Sequence, residues 1–272
     1  MGIGGLMADE PVTVTAERVS RPRRPWSDTT HRLLAHLGAA GIEGLPAPLP
    51  PTSPDTEDTT FVPGESLVAA VFDADQVASL ARLLRAVHDA GVDVVRTGSE
   101  VWQPFEFRAE EPRPVDGAPF LGDLVIGHGD TGPWNVIATS AATVSLIDWE
   151  FAGPIVRVDE IAATCWLDLR FHDPEVDVAS GATDLAAKAG LLAVFLRAYG
   201  VPRDGWAAVV RGMVDYAIRD AAYEATRLEV APDTVPADDS VEWRLAWRSR
   251  SAAWIVRNQR QILELADAHA AD

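Results

Sequence analysis

One short stretch of the chain combines carboxylate and amide side chains at a spacing that suits phosphoryl chemistry. Asp130 and Asn135 are separated by four residues, and Asp148 follows within Leu146-Ile-Asp-Trp-Glu150. A carboxylate such as Asp130 can accept the proton of a substrate hydroxyl, and the oxygens of Asn135 and Asp148 are hard ligands for Mg²⁺. Glu150 either adds a further metal ligand or caps the following turn. These residue types supply the base and the metal ligands that phosphoryl transfer needs.

Two apolar runs lie between Asn135 and Asp148. Val136-Ile-Ala138 and Val144-Ser-Leu-Ile147 contain β-branched residues and are separated by small polar ones, which predicts a β-hairpin. The hairpin would bring its two ends, and with them the metal-ligand candidates, close together. The alternative is a hydrogen-bonded turn in which Asp130 caps backbone groups and Asn135 is buried.

The stretch from His128 to Asp159 resembles the aminoglycoside phosphotransferase and choline kinase family, whose members show His-Gly-Asp, then Asn, then Ile-Asp-Trp or Ile-Asp-Phe, then a later Asp in a helix. The resemblance implies that Asp130 and His128 are catalytic, that Asn135 and Asp148 hold Mg²⁺, and that ATP or GTP is the co-substrate. It also implies that Asp159 braces the catalytic loop.

Two further segments resemble the same family. Phe61-Val-Pro-Gly-Glu65 resembles the hinge between the lobes, which implies that Phe61, Val62, Gly64 and Glu65 contact the nucleotide. Leu83-Leu-Arg-Ala-Val-His88 resembles a helix that ends in Leu-His, and His88 is expected to be a packed, hydrogen-bonded core residue.

The N-terminal part departs from the family pattern. The family's strand lysine is missing, because Lys188 is the only lysine and lies far along the chain. Arg21, in Val19-Ser-Arg-Pro22, is the best substitute, since a guanidinium binds phosphate well; the alternative is a solvated turn. His31 or a neighbour takes the place of the usual helix glutamate, and no glycine-rich loop is visible.

The predicted fold class is α+β, a bilobal protein-kinase-like fold. Residues 1–63 form a reduced, partly β N-lobe, with a weak strand at Val12–Thr15, and residues 64–272 form a mainly helical C-lobe. Apolar periodicity predicts helices over residues 75–90, 160–169, 183–199, 206–228 and 241–270. Trp243, Trp247 and Trp254 are expected to form a core stripe on the last of these helices.

The chain carries a net charge of −18, which disfavours binding to nucleic acid or to anionic membranes. A cationic small-molecule acceptor is favoured; the alternative is that the charge serves solubility. Asp215, Asp220 and Glu224 are candidates for binding an amine of the acceptor. The acidic loop with Asp173, Glu175 and Asp177 is expected to be solvated, and His172 is expected at the surface.

The sequence also bears on the cellular compartment in which the protein is expected. No apolar run has the length of a membrane helix, and Met1–Glu10 lacks the pattern of a secretion signal. The single cysteine, Cys165, excludes an internal disulfide and a cysteine-based zinc site. The cytoplasm is therefore the expected location, and the sequence leaves the oligomeric state open.

Two functions follow from these observations. The first is a phosphotransferase that moves the γ-phosphate of ATP or GTP to a hydroxyl of a small molecule, with an aminoglycoside-like or other amine-bearing compound as one candidate acceptor. The second is a catalytically inactive kinase-like protein of immunity or resistance type, which binds or sequesters a ligand. The missing lysine, glutamate and glycine-rich loop motivate the second.

Overall fold

A computed structural model of the chain describes residues 12–68, 70–91, 94, 100–177, 184–231 and 240–270. The predictions for Met1–Glu10 and for Thr183 as the first residue of a helix lie outside these residues. The helices are α1 (Ser27–Ala39), α2 (Ala74–Gly91), α3 (Arg157–Asp168), α4 (Leu185–Tyr199), α5 (Arg203–Arg227) and α6 (Ser240–His269). The strands are β1 (Thr13–Val14), β2 (Arg18–Pro22), β3 (Pro48–Leu49), β4 (Thr56–Thr60), β5 (Glu65–Ser66), β6 (Leu124–Gly127), β7 (Val136–Ala138), β8 (Val144–Leu146) and β9 (Gly153–Val156).

The N-terminal part forms an antiparallel sheet in the order β1-β2-β4-β3. The weak strand predicted near Val12 and the strand expected to hold Arg21 are both confirmed. The register sets Arg21 opposite Glu57 on the central strand pair. Buried Asp58 ties the sheet together, because it accepts hydrogen bonds from Ser20 Oγ at 2.5 Å and Thr52 N at 2.8 Å and pairs with Arg18.

The chain leaves this sheet after β4 and enters the C-terminal part through β5, which pairs with β7. Gly64 has φ +150°, and a Cβ there would come within 2.3 Å of the carbonyl oxygen of Ala138. Only glycine permits so close an approach of the two chain segments. The division of the chain after residue 63 stays a prediction.

The helical C-terminal part follows the apolar periodicity. Helix α2 buries Val77, Leu80, Leu84 and Val87 on one face, as predicted. Helix α5 packs against α3 and α6, and α4 packs against α2 and α6. Observed helix boundaries differ from the predicted ones by up to three residues, as when α3 begins at Arg157.

Three surface and core expectations need correction. Trp247 is buried, but Trp243 is 41% exposed, because it stacks on Trp247 in the first turn of α6 and turns its other face to solvent. His172 is buried rather than exposed, and its ring contacts Trp247. In the acidic loop, Asp177 pairs with Arg170 and Asp173 accepts from Arg250 at 3.1 Å, so arginines rather than water neutralise the two carboxylates.

The predicted fold class is confirmed: the protein is α+β, with a small antiparallel sheet in its N-terminal part and a mainly helical C-terminal part. Within the described part of the chain, no single helix is long and apolar enough to cross a membrane, although the bent pair α4 and α5 reaches that length and composition jointly.

Candidate functional site

The loop between β6 and β7 holds Asp130 in a fixed position. Gly129 has φ +84°, and a Cβ there would lie 2.1 Å from the carbonyl oxygen of Phe151, so the loop requires glycine. The indole Nε1 of Trp134 donates to both carboxylate oxygens of Asp130, at 3.1 and 3.0 Å. Nδ2 of Asn135 donates to Oδ2 of Asp130 at 3.0 Å. Trp134 and Asn135 therefore fix the orientation of the Asp130 carboxylate.

Burial and charge raise the pKa of Asp130 to about 7. Desolvation is the main cause, and the nearby charge of Asp148 raises the pKa further. The hydrogen bonds from Trp134 and Asn135 act in the opposite direction. A carboxylate whose pKa lies near neutrality is suited to take a proton from a hydroxyl group.

Asn135 links this loop to the hairpin. Its side-chain Nδ2 donates to the backbone carbonyl oxygen of Asp130 at 2.8 Å. The backbone carbonyl oxygen of Asn135 accepts from Ile147 N at 3.0 Å. The predicted hairpin is confirmed as β7 and β8, and it brings Asn135 beside the segment that carries Asp148. Because the amide nitrogen is directed to Asp130, the amide oxygen is left to act as a ligand.

His128, which the family resemblance implied to be catalytic, is held by the backbone on both sides of its ring. Its ring is fully buried, with Nε2 2.8 Å from the carbonyl oxygen of Ile147 and Nδ1 accepting from Asp130 N at 3.2 Å. Both ring nitrogens are therefore used by the backbone, and burial lowers the pKa of His128, which keeps the ring neutral. Through these bonds His128 positions Asp130 and the end of the hairpin, and its direct catalytic role stays a prediction.

Glu160, and not Asp159, braces the catalytic loop. Glu160 is 1% exposed, and its two oxygens accept from Gly129 N and from His88 Nε2, each at 2.5 Å. Burial raises the pKa of Glu160, but the bonds from His88 and Gly129 outweigh it, so that the pKa is lowered. Asp159 points elsewhere and pairs with Arg113 and Arg219.

His88 has the packed role that the sequence predicted. Besides its bond to Glu160, it lies 2.7 Å from the hydroxyl of Tyr199, which accepts from Arg157 Nη1 at 2.9 Å. A buried chain of hydrogen bonds therefore runs from helix α4 through α2 to the catalytic loop. The sequence offered little indication of this role for Glu160. It adjoins Asp159, and either carboxylate could be the later acidic residue in the family pattern.

Asp148 follows β8 in the left-handed conformation, with φ +65°. This conformation is unfavourable for a residue other than glycine, and it is found preferentially at functional positions. One oxygen of Asp148 forms an ion pair with the guanidinium of Arg21 from β2. The structure thus brings together the residue expected to hold metal and the residue expected to replace the family's lysine.

Arg21 is surrounded by carboxylates. Burial lowers its pKa, but Asp148, Glu150 and Glu57 outweigh burial, so the pKa of Arg21 is raised and the side chain stays charged. Burial and the charge of Asp148 raise the pKa of Glu150. Arg21, Glu57, Asp148 and Glu150 line one small cavity, to which helix α1 contributes His31.

The donor set suits Mg²⁺ bound together with a nucleotide. Among the residues that the structure describes, no three His, Cys, Asp or Glu side chains form a ready metal site. Mg²⁺ usually takes one or two carboxylates and completes its shell with phosphate oxygens and water. Asp148 and the amide oxygen of Asn135 fit that description, with Glu150 nearby as a third oxygen donor.

The hinge residues lie between the two parts of the protein. Phe61 is 36% exposed, and its amide nitrogen donates to the carbonyl oxygen of Glu17 at 3.0 Å, so this group is already used. Val62 follows without regular secondary structure, Gly64 lies in a bend, and Glu65 begins β5. Their contact with a nucleotide stays a prediction.

The carboxylates expected to bind a cationic acceptor carry arginine partners. Asp220 accepts from Arg248 Nε at 2.6 Å, and Glu224 pairs with Arg227 at 2.9 Å and Arg244 at 3.0 Å. Asp215 is 55% exposed and lies 3.6 Å from Arg219. Most of the negative charge on this face of α5 is thus neutralised within the protein.

Comparison with solved structures identifies the fold. The chain is similar to an amicoumacin kinase in complex with AMP-PNP and Ca²⁺ (TM-score 0.60, 12% identity, 94% of this chain and 88% of that one). It is also similar to an aminoglycoside phosphotransferase from Alicyclobacillus acidocaldarius (0.57, 17%, 91% and 87%) and a choline/ethanolamine kinase family protein from Mesorhizobium loti (0.55, 12%, 99% and 95%). The resemblance to aminoglycoside phosphotransferases and choline kinases is confirmed at the level of fold.

Comparison with curated sequences identifies a nearer relative. The trifolitoxin immunity protein of Rhizobium leguminosarum bv. trifolii is 32% identical over 250 residues, which cover 91% of each chain. No protein-family model matches the sequence.

Proposed function

The chain belongs to the family of the trifolitoxin immunity protein, and from this premise we propose that it is a small-molecule phosphotransferase that confers immunity or resistance. It transfers the γ-phosphate of ATP or GTP to a hydroxyl of a small molecule, with Mg²⁺ bound. The support is the likeness of its fold to phosphotransferases and the name of its relative. A cytoplasmic location is part of the proposal.

The arrangement around Asp130 carries the proposal. The carboxylate has a pKa near neutrality, two side chains fix its orientation, and Asn135 and Asp148 lie at the two ends of one short hairpin. A protein that only binds its ligand has no chemical need for a buried carboxylate with this pKa. Maintaining it costs stability, because a buried carboxylate is poorly solvated.

Each residue then has a distinct task. Asp130 accepts the proton of the acceptor hydroxyl, and Trp134 and Asn135 hold its oxygens in place. Arg21 binds phosphate oxygens as a fixed, permanently charged donor. Asn135 and Asp148 would hold Mg²⁺, which would supply positive charge beside the phosphates.

Nucleotide binding is the first test. We expect calorimetric titration to show binding of ATP or GTP in the presence of Mg²⁺, and Asp148→Asn to abolish the metal-dependent part of the affinity. Glu264→Gln, which removes an exposed carboxylate of α6 outside the proposed site, should bind as the natural protein does. Failure of both nucleotides to bind at millimolar concentration would contradict the proposal.

The pH dependence follows from the pKa of Asp130. Asp130 acts as a base only when it is deprotonated, so the rate should rise with pH through about 7 and then level off. Trp134→Phe removes bonds that lower this pKa, so the inflection should move to higher pH. The measurement is the pH profile of nucleotide hydrolysis, in which water serves as acceptor; an unchanged inflection in the variant would contradict the assignment.

One observation favours a second function. Arg21 forms an ion pair with Asp148, the main candidate metal ligand. The same pair is expected in a protein that no longer uses the metal. Such a protein would confer immunity by sequestering its ligand. In that case affinity for the ligand would be independent of nucleotide and of Mg²⁺.

The acceptor itself is proposed only as a hydroxyl-bearing small molecule. Because arginines neutralise Asp220 and Glu224, these two carboxylates of α5 are not reserved for a cation. An amine on the acceptor is therefore compatible with the site but is not required by it.

A further inference from the structure

A small cavity lies between the N-terminal sheet, helix α1 and the turn that follows β8. It encloses about 30 Å³ of space, which is room for one or two water molecules. Its lining includes the polar residues Arg21, Thr30, His31, Glu57, Thr59, Asp148 and Glu150. It therefore adjoins both the candidate phosphate-binding arginine and the candidate metal ligand.

Three polar atoms in the lining are buried and form no hydrogen bond with the described residues. They are Oγ1 of Thr30, Nε2 of His31 and Oε2 of Glu57. Buried polar atoms are nearly always paired, because leaving one unpaired costs its full desolvation energy. The oxygen of Glu57 is thus an acceptor that the described residues leave open.

A partner for Glu57 is close by. Arg21 and Glu57 are cross-strand neighbours on β2 and β4, and side chains directly opposite in an antiparallel pair lie within contact distance. The guanidinium of Arg21 is instead bonded to Asp148. Two carboxylates thus lie within reach of Arg21. It is bonded to Asp148 and not to Glu57.

Helix α1 does not supply the acidic partner that the family resemblance implied. It contributes Thr30, His31 and Leu34 to the cavity, and none of these carries a carboxylate. Strand β4 supplies one instead, through Glu57. A carboxylate on the neighbouring strand can hold an arginine as well as one on a helix, because the ion pair depends on distance and geometry alone.

We propose that Glu57 is the positioning residue for Arg21 in the nucleotide-bound protein. On binding, Arg21 rotates from Asp148 to Glu57 and presents its remaining N–H groups to the phosphates. Asp148 is then released to hold Mg²⁺. The inference rests on the proposed function, and it implies that nucleotide and metal bind cooperatively.

The exchange of partners gives both Asp148 and Glu57 a role beside Arg21. Arg21 keeps one ion pair in either position, so no buried guanidinium is left without a counter-charge. The carboxylate that loses Arg21 gains a new partner on nucleotide binding, since Asp148 then faces the metal. Only side-chain rotation is required, which is fast compared with ligand binding.

A double-mutant cycle on nucleotide affinity tests the proposal. The probes are Mg²⁺-ATP and Mg²⁺-GTP, titrated against the natural protein, Arg21→Gln, Glu57→Gln and the double variant. We expect Glu57→Gln to weaken binding about tenfold in the natural background and to have no effect once Arg21 is glutamine. The control Glu17→Gln removes the same charge from an exposed position ahead of β2, and should leave affinity unchanged.

Thermal unfolding without ligand separates positioning from a structural role. Glu57 has an unpaired oxygen in the ligand-free protein, so Glu57→Gln should leave the melting temperature unchanged or raise it. A fall in melting temperature that accounts for the lost affinity would overturn the proposal, as would additive effects of the two substitutions on binding. Absence of nucleotide binding in the natural protein would overturn the proposed function as well, whereas binding with additive variants overturns the role of Glu57 alone.

Discussion

Asp130→Asn is expected to abolish phosphoryl transfer while nucleotide binding is retained. The substitution removes the group that accepts the hydroxyl proton, and loss of a general base lowers rates by about 10²–10⁴-fold. Asp130 bonds to Trp134 and Asn135 and not to Arg21, so the candidate phosphate-binding residues are undisturbed. The measurement pairs turnover, followed as release of nucleoside diphosphate, with calorimetric affinity for Mg²⁺-ATP and Mg²⁺-GTP.

The same variant separates the two candidate functions. If the protein is an enzyme, cells that depend on it for immunity should lose protection with Asp130→Asn. If the protein sequesters its ligand, the variant should protect as well as the natural protein. Glu264→Gln serves as the control in both assays, because it removes a carboxylate that is more than half exposed and lies on α6, outside the proposed site. Unchanged turnover in Asp130→Asn would contradict the assigned base.

The second large effect is expected from Glu160→Gln, which should lower the free energy of unfolding by about 1–3 kcal/mol, the cost of leaving a buried hydrogen-bonding group unpaired. The natural carboxylate accepts from Gly129 N and His88 Nε2 at the same time. Glutamine has one oxygen, so its amide nitrogen must face one of these donors. The loss is measured by denaturant unfolding of the two proteins. The comparison requires that their unfolding free energies fall with denaturant concentration at the same slope.

Asp159→Asn is the matched control for this prediction. Asp159 is the adjacent residue, but its partners Arg113 and Arg219 are 42% and 30% exposed, so the ion pairs are worth about 1 kcal/mol or less. A larger loss in Asp159→Asn than in Glu160→Gln would restore the role that the sequence first suggested for Asp159.

The difference between Glu160→Gln and the natural protein should also depend on pH. The pKa of Glu160 is lowered in the folded protein, so the stability that its charge contributes is present above the ordinary carboxyl range. That contribution is lost as the pH falls through the lowered pKa. The unfolding free energies of the two proteins should therefore converge in acid, and a constant difference would contradict the charged state of Glu160.

The sequence by itself determined the parts of the site that are local along the chain. Asp130, Asn135 and Asp148 are joined by one loop and one hairpin, so their spacing and the β-type runs between them were enough to predict how they meet. The same holds for helix α2, whose buried face follows directly from apolar periodicity. Local geometry is predictable because backbone hydrogen bonding fixes it within a few residues.

Tertiary structure decided which charges meet across the fold. Successive helix residues are rotated by about 100°, so one position separates Glu160, which faces the catalytic loop, from Asp159, which faces Arg113. The pairing of Arg21 with Asp148 joins residues far apart in the chain. The strand register that sets Glu57 opposite Arg21 follows from hydrogen bonds between strands. Spacing in the sequence carries no record of these contacts, because they arise only when separate elements pack together.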